Sequence, residues 1–285
     1  MEIKRYFQVE YGVVSNYLPH ILSSELKGKI HSVFNTSFNI EFNHSLIHLG
    51  ALGTPLSAFG INIPAQILNK LLGDIQVGGT TEWMNGKLMI HTPHLIYQLK
   101  LDKIAQIDLS IKPIQIQKES LVHNALFQKI EQLDFLNKSD VIYSDQDLTI
   151  INQLINAAPT NRHLIKDSIH YFFGRGIGLT PSGDDFISGL LMAEAALTPD
   201  SYWKDELNEH LSKHSTTDVS RHYLNCLIAG YVSEHFKQLL INLNQAVEST
   251  KAERLVKDVT NYGHTSGYDT LFGLYVALKQ KYWRK

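Results

Sequence analysis

Residues 182–193 read SGDDFISGLLMA, and residues 266–277 read SGYDTLFGLYVA. Both fit S-G-x-D-x-x-x-G-L-x-x-A, and each has a threonine just upstream, Thr180 and Thr265. The shared letters are small or polar, so the match is not the trivial one that any two apolar helices would give. The spacing describes two helix starts. Ser182 or Gly183 falls in an N-cap region, and the aspartate falls in the first turn, where the helix dipole favours negative charge. Asp185 and Gly189 stand four apart on one helical face, and Asp269 and Gly273 repeat this. A mid-helix glycine costs about 1 kcal/mol relative to alanine. Two helices that accept this cost at the same offset are expected to approach closely there. The expectation is a pseudo-symmetric pair crossing at Gly189 and Gly273, with Asp185 and Asp269 facing shared space.

Working outward, the first copy is preceded by a dense loop. Residues 174–185 read GRGIGLTPSGDD. Three readings of it stand open. In the first, backbone N–H groups around Gly176, Gly178 and Gly183 turn toward an anion, with Arg175 adding charge and Thr180 and Ser182 adding hydroxyl donors. In the second, Asp184 and Asp185 hold a divalent cation, Mg²⁺, that bridges a phosphate. In the third, the aspartates only cap the helix and the glycines only make a tight turn; each first-turn acid is then worth about 0.3–1 kcal/mol. A P-loop is excluded because the Gly-Lys-Ser/Thr ending is missing. A dinucleotide fingerprint is excluded because G-R-G-I-G-L lacks the third glycine at its offset. A carboxylate repels a phosphate, so aspartates and anion coexist only with a cation or a donor between them. An amide NH₂ serves as such a donor.

Weaker candidates surround these. Thr265, Ser266 and Gly267 open the second helix as Ser182 and Gly183 open the first, and His264 beside them is a candidate for acid–base work. Residues 215–222, STTDVSRH, form a hydroxyl-rich helix start in which Arg221 is a candidate for a substrate carboxylate, although a cap alone accounts for the hydroxyls. The loop GALGTPLSAFGIN at 50–62 is a second glycine-bearing segment. Cys226 lies mid-helix among leucines and reads as a buried thiol. As the single cysteine it forms no intrachain disulfide and no cysteine-based zinc cluster. The 14 histidines read as scattered surface and half-buried imidazoles, with no H-x-x-x-H or H-E-x-x-H pair expected to mark a metal site.

The two halves of the 285-residue chain differ in pattern. Residues 30–42, 45–52, 74–92 and 94–111 have strand character, with Asn85-Gly86 marking a two-residue hairpin. Residues 64–73 break in as one helix. Beyond about residue 115 the periodicity turns helical, over 120–136, 146–156, 161–173, 184–197, 203–214, 217–230, 232–247, 249–262 and 268–281. The expected fold is therefore α+β: a β-rich barrel or sandwich over residues 1–115, packed on an all-α domain over 116–285 that carries the glycine and aspartate loops. Hydrophobic residues at 44% and charged residues at 19% support a buried core. A formal charge of −2 gives no global reason to expect nucleic acid or a membrane surface. No apolar run is long enough for a signal peptide or a membrane span, so a cytoplasmic location is expected.

The string G-I-G-L-T-P-S-G-D-D-F at 176–186 resembles the AllH-like family of bacterial proteins. The T-x-x-S helix start at Thr217–Ser220 and the block G-H-T-S-G-x-D-x-x-x-G at 263–273 are similar to that family's other signals. The resemblance is firm over the helical half. It implies a subunit of a multi-component oxamate carbamoyltransferase from allantoin and purine degradation. That enzyme interconverts oxalurate and phosphate with oxamate and carbamoyl phosphate. The partners it implies are a small phosphate or carboxylate substrate and the other subunits. It also implies roles for Asp184, Asp185 and Asp269 in orienting a carbamoyl nitrogen or a Mg²⁺. The rival reading is a non-catalytic binding or assembly subunit.

Overall fold

A computed structural model describes residues 5–197 and 202–283. The chain divides into two compact units, Met1–Ser110 and Ile111–Lys285. Among the described residues, no helix is long and apolar enough to cross a membrane.

The first unit is one ten-stranded sheet, curled into a half-barrel. In chain order its strands are β1 (Arg5–Val9), β2 (Val13–Ser15), β3 (Leu26–Val33), β4 (Phe38–Phe42), β5 (Ser45–Ala51) and β6 (Gly60–Ile63). After helix α1 (Ala65–Asp74) come β7 (Thr80–Met84), β8 (Lys87–His91), β9 (Leu95–Lys100) and β10 (Ala105–Ile107). The spatial order is β1-β9-β8-β7-β3-β4-β5-β6-β2-β10. A single continuous sheet decides between the two expected architectures: it is barrel-like, not two stacked layers. The Asn85-Gly86 hairpin is present, with both residues in the left-handed region at φ 53° and 75°. The run 30–42 is not one strand. A turn closed by Phe34 N–H donating to Ser37 O at 2.8 Å breaks it into β3 and β4. Alternation then fills the core: Phe38, Ile40 and Phe42 of β4 pack with Ile30, Ile47, Leu49 and Ile61.

The second unit is helical: α2 (Lys118–Val122), α3 (Ala125–Glu131), α4 (Phe135–Lys138), α5 (Asp145–Asn156), α6 (Arg162–Phe172), α7 (Ser182–Leu197), α8 (Trp203–Lys213), α9 (Asp218–Ile228), α10 (Glu234–Leu243), α11 (Ser249–Thr260) and α12 (Ser266–Trp283). The expected helix over 120–136 is instead three short ones. Asn124 ends the first by capping the second, accepting from the N–H of Leu126 and Phe127. Its NH₂ also donates to the carbonyls of Asn242, Leu243 and Gln245, so the break ties α3 to the end of α10. Asp134 then caps α4 through the Asn137 amide. Helices α7 and α12 form the centre of the unit and are buried along most of their length. That burial explains why neither has a strong polar face.

Candidate functional site

Helices α7 and α12 cross with their backbones in contact. A Cβ on Gly189 would lie 2.0 Å from Thr270 O, and one on Gly273 would lie 2.0 Å from Phe186 O. The two clashes are related by the same offset of 84 residues that relates the sequence copies (273 less 189, and 270 less 186). Each helix start repeats the theme. A Cβ on Gly183 would lie 1.9 Å from Phe172 O at the end of α6, and one on Gly267 would lie 1.9 Å from Val259 O in α11. The repeat is therefore larger than the sequence string: it is a helix–loop–helix unit, α6–α7 in one copy and α11–α12 in the other. The amides of Gly183 and Gly267 are both used within the chain, donating to Arg175 O at 2.8 Å and Tyr262 O at 3.1 Å.

This crossing brings the first turns of α7 and α12 together. The hydroxyls of Thr180 and Ser266 meet at 2.9 Å, joining the two loops. The same two hydroxyls stand by the Asp185 carboxyl. Across the pseudo-axis, the hydroxyls of Thr265 and Ser182 stand by Asp269. The arrangement is reciprocal: the aspartate of each helix is served by the serine that opens the other. Asp269 Oδ1 also accepts from Ser139 Oγ at 2.7 Å and from the Asp140 amide at 2.9 Å. Oδ2 of Asp185 and Oδ2 of Asp269 are both buried and accept no well-aligned hydrogen bond. Burial pushes both carboxyls above the usual carboxylate range, Asp185 strongly, and their mutual repulsion adds to the rise at Asp185.

Asp184 faces elsewhere. Its Oδ1 accepts from the Gly174 amide at 2.7 Å, and its Oδ2 accepts from the hydroxyls of Thr216 and of Ser220, the latter at 2.6 Å. It is 1% exposed. The neighbouring aspartates therefore serve different partners: Asp184 staples the glycine loop to the start of α9, and Asp185 joins α12. Thr217 is the N-cap of α9 and accepts from the Ser220 amide, as the T-x-x-S spacing implies.

Gly174, Gly176 and Gly178 all have positive φ, at 69°, 116° and 96°. The tip they shape is open, with Ile177 86% and Leu179 51% exposed. Arg175 is committed to a bidentate ion pair with Asp147 of α5, and its guanidinium lies over the ring of Tyr171, 4.7 Å away, with the Tyr143 ring at 5.8 Å. Burial alone would raise the Asp147 carboxyl. The donors Arg175, Tyr143 N–H, Tyr171 and Ser144 outweigh it and hold that carboxyl at about 2. Arg221 is likewise engaged, donating to Leu211 O and His214 O at the end of α8. His264 is exposed.

The structure adds residues that spacing did not single out. Ser139 is one. Tyr143 is another, its hydroxyl beside Ser182. Tyr223 of α9 and Tyr262 form a hydroxyl pair at 2.6 Å; burial, then Tyr223, then the nearby Asp185 push the Tyr262 phenol up. Tyr262 and Tyr223 flank the motifs that carry the loops, which is the only signal for them in the sequence. Ser139 and Tyr143 lie about 130 residues away from the second motif and give none.

Residues 172–278 match the family model described as oxamate carbamoyltransferase subunit AllH, so the resemblance carried by the loop motifs holds over that segment. The matched segment spans both sequence motifs, 182–193 and 266–277, and α9 between them. No solved structure matches the chain.

Proposed function

We propose that the α7–α12 centre binds a carbamoyl or carboxamide group as part of an oxamate carbamoyltransferase subunit. The observation that carries this is the reciprocal aspartate pair with one buried, unpartnered oxygen on each side. Burial favours the neutral form of a carboxyl, and Asp185, the more strongly raised of the two, is the one that holds a proton beside Asp269. A pair in that state presents one donor and one acceptor. A carbamoyl group presents the complement, a C=O acceptor and an NH₂ donor. The hydroxyls of Thr180, Ser182, Thr265 and Ser266 adjust as donor or acceptor and fix the orientation.

The reaction implied by the family fits this arrangement. Phosphate oxygen attacks the ureido carbonyl of oxalurate, and the carbon–nitrogen bond to the oxamate nitrogen breaks. That nitrogen needs a proton, and a protonated Asp185 is placed to supply one. In reverse, the same carboxylate takes the proton back. The positive-φ loop at Gly176 and Gly178 remains the reading for the phosphate, through backbone N–H groups. Arg175 contributes to it by holding the loop start on α5 rather than as a free charge.

The exposed apolar tip at Ile177 and Leu179 favours a second, compatible reading, a contact with another subunit at the mouth of the loop. The test is calorimetry of the purified chain with oxamate and with carbamoyl phosphate, alone and mixed with its partner subunits. Asp185→Asn is expected to abolish binding of the amide ligands and turnover of the assembled enzyme while the fold persists. Undiminished turnover in Asp185→Asn would remove the proposal. Binding that appears only in the mixture, and disappears with Ile177→Asp, would place the tip at the subunit contact.

A further inference from the structure

Three imidazoles converge outside the site just described. His170 lies in the last turn of α6, His210 in the last turn of α8, and His214 immediately after α8. The rings of His210 and His214 stack at 4.0 Å, and the His170 ring lies 5.9 Å and 6.0 Å from them. One nitrogen from each histidine lies within 4.8 Å of the others. His210 and His214 stand four apart, the H-x-x-x-H spacing by which a helix presents two ligands to one metal. The histidines are thus not all scattered, and the expectation of no H-x-x-x-H pair fails at His210 and His214. They line a cavity of about 390 Å³ with Asp167, Glu206 and Glu209.

We propose that His170, His210 and His214 form a binding site for a borderline transition-metal ion such as Zn²⁺, with the fourth position open to solvent. Three imidazoles are a donor set suited to zinc, copper, iron and nickel rather than to Mg²⁺ or Ca²⁺. Tetrahedral zinc at about 2.0–2.1 Å from each nitrogen needs the three within roughly 3.4 Å of one another, so the rings must draw in from the observed spacing of up to 4.8 Å. The Phe173 ring packs edge-on against His210 at 4.7 Å and limits its rotation. Lys166 and Lys213 also line the cavity, and Lys213 is paired with Glu209 at 2.6 Å.

The position gives the metal a role. It would clamp the end of α6, next to Gly174, to the segment at Ser215–Thr217, and Asp184 joins these same two strands of chain through Gly174 N–H and Thr216. This inference does not depend on the carbamoyl reading.

The test is titration of the full, tag-free chain with Zn²⁺ by calorimetry and by thermal unfolding. Expected are one tight equivalent and a raised unfolding midpoint. His210→Ala and His214→Ala should each weaken binding by more than about tenfold, the lower end of what even an outer partner of a metal ligand costs. His94→Ala, on an exposed position of the sheet unit, should keep the equivalent. X-ray absorption of the zinc-loaded wild-type chain should count three imidazoles, a readout that needs no variant. Unchanged binding in the His170/His210/His214 triple alanine variant, or a single imidazole on the zinc, would overturn the site.

Discussion

Gly189 and Gly273 touch across the α7–α12 crossing: a Cβ placed on Gly189 would lie 2.9 Å from the Gly273 Cα and only 2.0 Å from Thr270 O. No rotamer change relieves a contact with backbone, so the helices themselves must separate. Gly189→Ala and Gly273→Ala are each expected to destabilise the helical unit by about 3 kcal/mol or more, although alanine is the better helix former. Gly73→Ala in α1 is the control. Nothing lies within 4 Å of its Cβ, so alanine there should be neutral or gain up to about 1 kcal/mol from propensity. Denaturant unfolding followed by circular dichroism checks all three. Equal effects at Gly189 and Gly73 would mean that the crossing is looser than described.

The crossing was legible because its signal is local and chemically odd: small letters where a helix wants large ones, repeated at one offset. The same holds for the Asn85-Gly86 hairpin. What stayed hidden depends on distant partners. Arg175 reads as a free cation until Asp147, 28 residues earlier, is seen to hold it. Nothing in DD distinguishes Asp184 from Asp185, because their division between α9 and α12 is decided by which neighbours the fold supplies. The helix expected over 120–136 fails at Asn124 because the carbonyls that recruit its side chain lie about 120 residues away. The four-residue spacing of His210 and His214 at the end of α8 stands in the sequence, and reading the histidines as scattered passed over it. The third histidine, His170, comes from another helix and only the fold supplies it.

Asp184 accepts three hydrogen bonds while almost fully buried, so its loss should be expensive and local. Hydrogen bonds to a charged acceptor contribute about 1.5–3 kcal/mol each, and the donors left behind lose partners. Asp184→Ala is expected to cost about 3–5 kcal/mol. It should also release the loop: hydrogen exchange at Gly174 and proteolysis at 176–179 should rise well before global unfolding. Protection of Gly174 unchanged in Asp184→Ala would show that the staple does not hold the loop.

Arg175→Met tests whether this arginine serves structure. It leaves the fully buried Asp147 with its amide, tyrosine and serine donors but without its cation. Removing one member of a buried pair costs about 3–5 kcal/mol; the remaining donors place this case near the lower end. The unfolding midpoint should fall, and pairing Arg175→Met with Asp147→Asn should recover part of the loss, since no unpaired charge then remains. Additive losses in the double variant would argue that Arg175 acts elsewhere.

Asp147 and Asp185 respond to pH in opposite directions. Asp147, held at about 2 against a usual 3.8, contributes stability above its unfolded value that is lost as pH falls toward 2. Asp185 is raised by burial, so its contribution is full below the unfolded value and is lost as pH rises through the folded one. Asn at either position removes the linkage. The stability advantage of the wild-type chain over Asp147→Asn should therefore shrink steadily from pH 4 down to pH 2. The stability of Asp185→Asn relative to wild type should instead climb as pH is raised from 4, and level off once the folded carboxyl has ionised. Urea unfolding of the three proteins across this range checks both slopes. A flat difference for Asp185→Asn would mean that its carboxyl titrates normally, and the one-proton aspartate pair invoked for carbamoyl recognition would lose its basis.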